Sequence, residues 1–123
     1  HHIRLTTLDD ARLRDELEGS KRDLERLLGE PVSYLAYPYG AVDERVLAAA
    51  RAAGYEAGFS VQPGFNRPGE GDAFRIRRLD VFGTDTPAML ARKVGLGTND
   101  GSLRHAMGYY AARIGTRFGR RAP

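Results

Sequence analysis

Leu13, Leu17, Leu24, Leu27 and Leu28 recur on one face at helical spacing, which predicts a helix over residues 8–28. Thr7 stands as its N-cap, with Asp10 at the capping-box position and acids in the first turn. Gly29 and Pro31 end it, since glycine accepts a left-handed cap and proline cannot continue a helix. Residues 32–37, rich in β-branched and aromatic side chains, read as a short strand that runs into the turn Pro38-Tyr39-Gly40. A second helix follows over residues 43–53, with Val46, Leu47 and Ala50 facing inward and Gly54 as its cap. Residues 55–61 read as another strand. Helix, strand, helix, strand with short connections implies parallel strands with helices packed on the sheet, an α/β fold.

The pattern then loosens. Pro63, Gly64, Pro68, Gly69 and Gly71 mark a loop over residues 62–72. Residues 74–81 alternate apolar and polar positions, the period of a strand with one wet face. Thr86-Pro87 opens a helix expected to reach Val94, and a glycine-rich loop follows over residues 95–101. Leu103, Met107, Tyr110, Ala111 and Ile114 form a weaker helical stripe interrupted by Gly108 and Gly115.

Composition narrows the chemistry. The chain has 123 residues, enough for at most one modest core, and no apolar run long enough to span a bilayer. Without cysteine it has no disulfide, no thiolate nucleophile and no Cys-based metal site. The net charge is +3, carried almost wholly by arginine. Residues 101–123 hold Arg104, Arg113, Arg117, Arg120 and Arg121 and no acid. Such a segment reads either as a solvated terminus or as a contact to nucleic acid or anionic lipid. Nucleic acid is not the expected partner, because aromatics are not interleaved with the arginines in a base-stacking pattern.

Around the Pro-Tyr-Gly turn, an ordered series of motifs resembles the polysaccharide deacetylase family (the NodB homology domain), specifically its C-terminal half. His2-Ile3-Arg4-Leu5-Thr6 is similar to the tail of the family's His-x-x-x-His-Pro motif, with Ile3 where proline is usual. Ser20-Lys21-Arg22-Asp23-Leu24-Glu25, Ala36-Tyr37-Pro38-Tyr39-Gly40, Asp43 to Leu47, Ala53-Gly54-Tyr55 and Arg77 to Val81 continue the match. The resemblance implies the C-terminal part of a distorted (β/α) barrel, parallel strands alternating with helices, over residues 1–100, followed by a basic helix or tail over 101–123. It implies a hydrolase that removes acetyl groups from a polysaccharide or amino sugar, using a divalent metal, commonly zinc. Family members are often extracellular or in the cell envelope.

By the same resemblance, His2 is a metal ligand and the Tyr39 backbone N–H stabilises the tetrahedral oxyanion. Tyr37 and Pro38 would line the acetyl-sugar groove. The Asp-Asp motif that supplies the base and one further ligand is expected upstream of residue 1, together with the first His, so this segment alone is expected to be inactive. A His-His start also fits the remnant of an affinity tag. Ala36 stands where many members carry an arginine that orients the catalytic Asp, and the late Leu-x-His motif is not recognisable; His105 reads as a surface or packing residue. Arg78 reads as a strand-end residue near the site or as an ion-paired surface residue. The alternative function is a non-catalytic carbohydrate-binding or interaction domain derived from the same barrel.

Overall fold

A computed structural model describes residues 3–118, with side chains described to Arg113. The chain divides into two units, residues 1–78 and residues 79–123.

The first unit is built on helix α1 (Asp10–Leu28), strand β1 (Tyr34–Ala36), helix α2 (Glu44–Ala52) and strand β2 (Ala57–Phe59). Helix α1 starts two residues later than the sequence suggests. Leu5–Thr7 tighten into a 3-10 turn in which Thr7 Oγ1 donates to Arg4 O, and Asp9 takes over as N-cap by accepting from Arg12 N. Gly29, at φ 74°, closes the helix as expected. Lys21 Nζ then donates to both Glu25 Oε1 and Val32 O, and Glu25 Oε1 accepts from Val32 N. This three-way clasp folds the connection back against α1 and aims the chain into β1.

Leu13 and Leu17 are buried with Val46, Leu47 and Ala50 of α2, Leu5, Tyr37, Tyr55 and Phe74. Leu24, Leu27 and Leu28, expected on the same inward face, are exposed, Leu27 by 79%. Helix length explains it. The 19-residue α1 runs about 28 Å, and the 9-residue α2 covers only about half of that.

Strands β1 and β2 pair in parallel, with Tyr34 opposite Ala57 and Ala36 opposite Phe59. Ser33 O accepts from Glu56 N, and Tyr37 N donates to Phe59 O. Odd-numbered residues of this stretch therefore bond β2, while Tyr34 and Ala36 direct their backbone groups to an edge with no strand partner among the described residues. The strand expected over residues 74–81 is not formed. Ala73–Arg75 make a 3-10 turn capped by Asp72, and the sheet extends only by one parallel bridge, Phe59 to Ile76. Beyond it the side chain of Asn66 accepts from Arg77 N and donates to Arg77 O, so one amide occupies the groups a further strand would use.

The second unit contains helices α3 (Pro87–Leu96) and α4 (Leu103–Phe118). Thr86 caps α3 and Pro87 opens it as expected, while Gly97 at φ 64° ends it, two residues beyond Val94. Lys93 is buried. Its ammonium donates to Asp85 Oδ2 at 2.6 Å and Asp80 O at 3.1 Å and lies 4.8 Å from the centre of the Phe82 ring. Asn99 ties in the same loop through Asp80. No helix among the described residues is long and apolar enough to cross a membrane.

Candidate functional site

The turn that leaves β1 carries the most unusual backbone in the first unit. Tyr37 N donates to Phe59 O at 3.2 Å, so pairing with β2 persists one residue past the strand. Pro38 then fixes φ, and Tyr39 turns left-handed at φ 57°, ψ 11°. It is the only non-glycine residue at positive φ among the described residues, a conformation that costs about 1–2 kcal/mol for a residue with a Cβ. Gly40 follows at φ 64°, and a Cβ there would collide with the Val61 side chain. Gly40 N and Ala41 N close the turn onto Tyr37 O and Pro38 O. The Tyr39 N–H has no hydrogen-bond partner among the described residues, and its ring is 60% exposed. A strained, exposed turn that leaves one donor open is the kind of backbone that functional sites retain.

Tyr37 lies on the other side. Its ring is 1% exposed and belongs to the core. The position expected to line a groove instead braces the turn from behind, because the side chain after Ala36 alternates inward against β2. The ring crosses Gly58 so closely that a Cβ there would come within 2.7 Å of Tyr37 Cζ. The Tyr37 hydroxyl is buried with no hydrogen-bond partner among the described residues. Burial, reinforced by the negative charge of Asp72 and opposed by Arg51 and Arg75, pushes its pKa up to about 12. Pro38 is half-buried at the rim, next to the exposed Tyr39.

The N-terminal segment reaches this turn. Leu5 is buried in the core that holds Tyr37. Arg45 of α2 donates to Leu8 O at 2.7 Å, Thr6 O at 3.3 Å and Asp10 Oδ1 at 2.9 Å, which straps the segment down. The Arg4 guanidinium thereby stands 5.2 Å from the centre of the Tyr39 ring, a cation–π contact. Sequence reasoning missed Arg4, Arg45 and Gly58, whose roles depend on partners distant in the chain. His2 lies outside the described residues. His105 sits on α4 with Nδ1 3.5 Å from Asp100 Oδ2, an exposed surface pair in the second unit. Arg78 is exposed and gives its backbone N–H to Gln62 O.

The loop that begins after Val61 forms an open cleft of about 550 Å3, whose lining includes Phe65, Arg67, Glu70 and Arg77. Asp72 at its edge is held below the ordinary carboxylate range by the Phe74 N–H and by Arg51.

The polysaccharide deacetylase family model matches residues 1–58, the stretch that contains the N-terminal segment, the turn and the start of β2. The chain is also similar to BC0361, a polysaccharide deacetylase from Bacillus cereus, at 29% identity and a TM-score of 0.66, over 76% of this chain and 29% of that one. Residues 1–58 belong to the polysaccharide deacetylase family. Two further structures are similar to this chain. BA0330 from Bacillus anthracis has 31% identity and a TM-score of 0.61, over 69% of this chain and 27% of that one. The BpsB deacetylase domain from Bordetella bronchiseptica has 30% identity and a TM-score of 0.53, over 56% of this chain and 26% of that one. No curated protein sequence matches the chain. The chain spans less than a third of each of these structures. Among the described residues no three His, Cys, Asp or Glu side chains gather closely enough to hold a metal ion.

Proposed function

We propose that this chain is the C-terminal part of a deacetylase barrel that removes acetyl groups from a polysaccharide or amino sugar. The observation that carries the reading is the Tyr39 turn: a left-handed residue, an open backbone N–H and an exposed ring under the Arg4 guanidinium. In this reading the Tyr39 N–H donates to the oxyanion that forms when the acetyl carbonyl is attacked. A well-aimed donor of this kind is worth about 10²–10³ in rate. Pro38 and the Tyr39 ring form the wall against the sugar, and Tyr37 holds that wall in place. The unpaired edge of β1 and the exposed Leu24, Leu27 and Leu28 support a fragment whose remaining strands and helices lie outside residues 1–123.

His2, two residues before Arg4, is the residue this reading assigns to a divalent metal, zinc by family resemblance. The other ligands and the general base come from polypeptide outside these residues, and the 123-residue chain alone is inactive.

The test is release of free amine from N-acetylglucosamine oligomers by the longest reading frame that contains this chain. Tyr39→Gly keeps the N–H and the left-handed conformation but removes the ring, so kcat stays within a few-fold while KM rises. Gly40→Val drives a side chain into Val61 and shifts the amide, so kcat falls about a hundredfold while circular dichroism reports a folded protein. Full activity in folded Gly40→Val ends the assignment of the amide. Glycan binding with no amine release by the unaltered protein assigns the non-catalytic reading, which Ala36 favours.

A further inference from the structure

Helix α4 exposes a row of large apolar side chains. Leu103, Met107 and Tyr110 are 63%, 64% and 59% exposed. At 100° per residue they fall within an arc of about 60°, one stripe along a helix about 24 Å long. Ala106, on the neighbouring face, is buried, so the helix is anchored to its unit by one side and shows the stripe on another.

The charge on this helix has a single sign. No Asp or Glu occurs after Asp100, while Arg104, Arg113 and Arg117 lie along α4 and Arg120 and Arg121 follow it. Arg104 projects about 100° from Leu103, about 60° beyond the Met107 edge of the stripe. Arg113 lies 5.7 Å over the Tyr109 ring and donates to its hydroxyl, and Tyr109 packs edge-on against Tyr110. Long cationic side chains and rings with polar tips, flanking a narrow apolar stripe, suit the zone where lipid headgroups meet acyl chains.

We propose that α4 docks in plane on an anionic lipid surface, with Leu103, Met107 and Tyr110 inserted and the arginines among the headgroup phosphates. An acid-free helix selects an anionic partner, and a convex stripe without a groove suits a fluid surface that closes around it. The proposal is independent of the deacetylase reading, because it uses only residues of the second unit.

The experiment is co-sedimentation of the longest reading frame that contains this chain with phosphatidylcholine vesicles and with vesicles containing phosphatidylglycerol. Binding is expected only to the anionic vesicles and is expected to fall steeply at high salt. Arg104→Gln should lower partitioning about fivefold. Leu103→Ser with Met107→Ser should lower it about tenfold or more, with the circular dichroism of the chain unchanged because both sites are exposed. No binding to anionic vesicles overturns the proposal, as does binding that the double variant retains. A chain that dimerises through the stripe, with dimer lost in the double variant and no lipid binding, assigns the surface to a second copy. Tighter binding to a duplex DNA than to anionic vesicles assigns it to nucleic acid. Either result also overturns the proposal.

Discussion

Replacing Tyr37 by Phe should make the first unit more stable. The ring is 1% exposed and its hydroxyl has no hydrogen-bond partner among the described residues, so folding strips the solvation of that group without replacing it. A buried, unsatisfied polar group costs about 1–3 kcal/mol, and removing it while keeping the ring over Gly58 should return about 1–2 kcal/mol. For a unit of 78 residues that corresponds to about 4–8 °C in Tm per kcal/mol. The assay is urea unfolding followed by circular dichroism, in which the midpoint should rise with the slope unchanged.

The same hydroxyl gives a second, independent readout. Its pKa is raised from an ordinary 10.0 to about 12, chiefly by burial. The fold therefore favours the neutral phenol, and the unfolded chain ionises first as pH rises. The associated stability is fully present below about pH 10 and is lost progressively as pH climbs to about 12. Tyr37→Phe lacks this loss, so its advantage over the parent should widen across that window. A variant less stable than the parent by more than about 0.5 kcal/mol at neutral pH, or a gap that stays constant from pH 10 to 12, refutes the buried-orphan argument.

Two other expectations use the same kind of reasoning. Gly58→Ala places a Cβ 2.7 Å from Tyr37 Cζ and should cost about 1–3 kcal/mol by overpacking; combined with Tyr37→Leu part of that cost should disappear, and a double-mutant cycle in urea measures the coupling. Asp85→Asn leaves the Lys93 ammonium buried without its counter-charge, so the second unit should melt at a lower temperature. The parent should show the same weakness in acid, because Lys93 and the Phe82 N–H hold the Asp85 carboxyl below its ordinary 3.8. That stability is present above the ordinary carboxylate range and is lost as pH falls through the lowered pKa, which thermal scans between pH 5 and pH 2 can follow.

What the chain discloses before folding is governed by distance along it. Helix α1 is legible because its caps and its 3.6-residue period are local, and even there the cap moves from Thr7 to Asp9 once Thr7 gives its hydroxyl to Arg4 O. The alternation over residues 74–81 is equally local and misleads, since Asn66, some ten residues earlier, saturates the Arg77 backbone and stops the ladder. The turn at Pro38-Tyr39-Gly40 can be read from three residues because each has one conformational job. The side on which Tyr37 lies cannot, because it depends on Gly58 leaving room beneath the ring. Arg4 reaches Tyr39 only because Arg45 straps the N-terminal segment to α2. The site is thus a backbone feature held by side chains remote in sequence. In the proposed function its chemistry resides in an amide that every residue but proline possesses, and what distinguishes this amide is the strain and the bracing around it. Residues that provide bracing, Gly40, Gly58 and Arg45, are therefore where substitutions should be most damaging to function without touching a reacting atom.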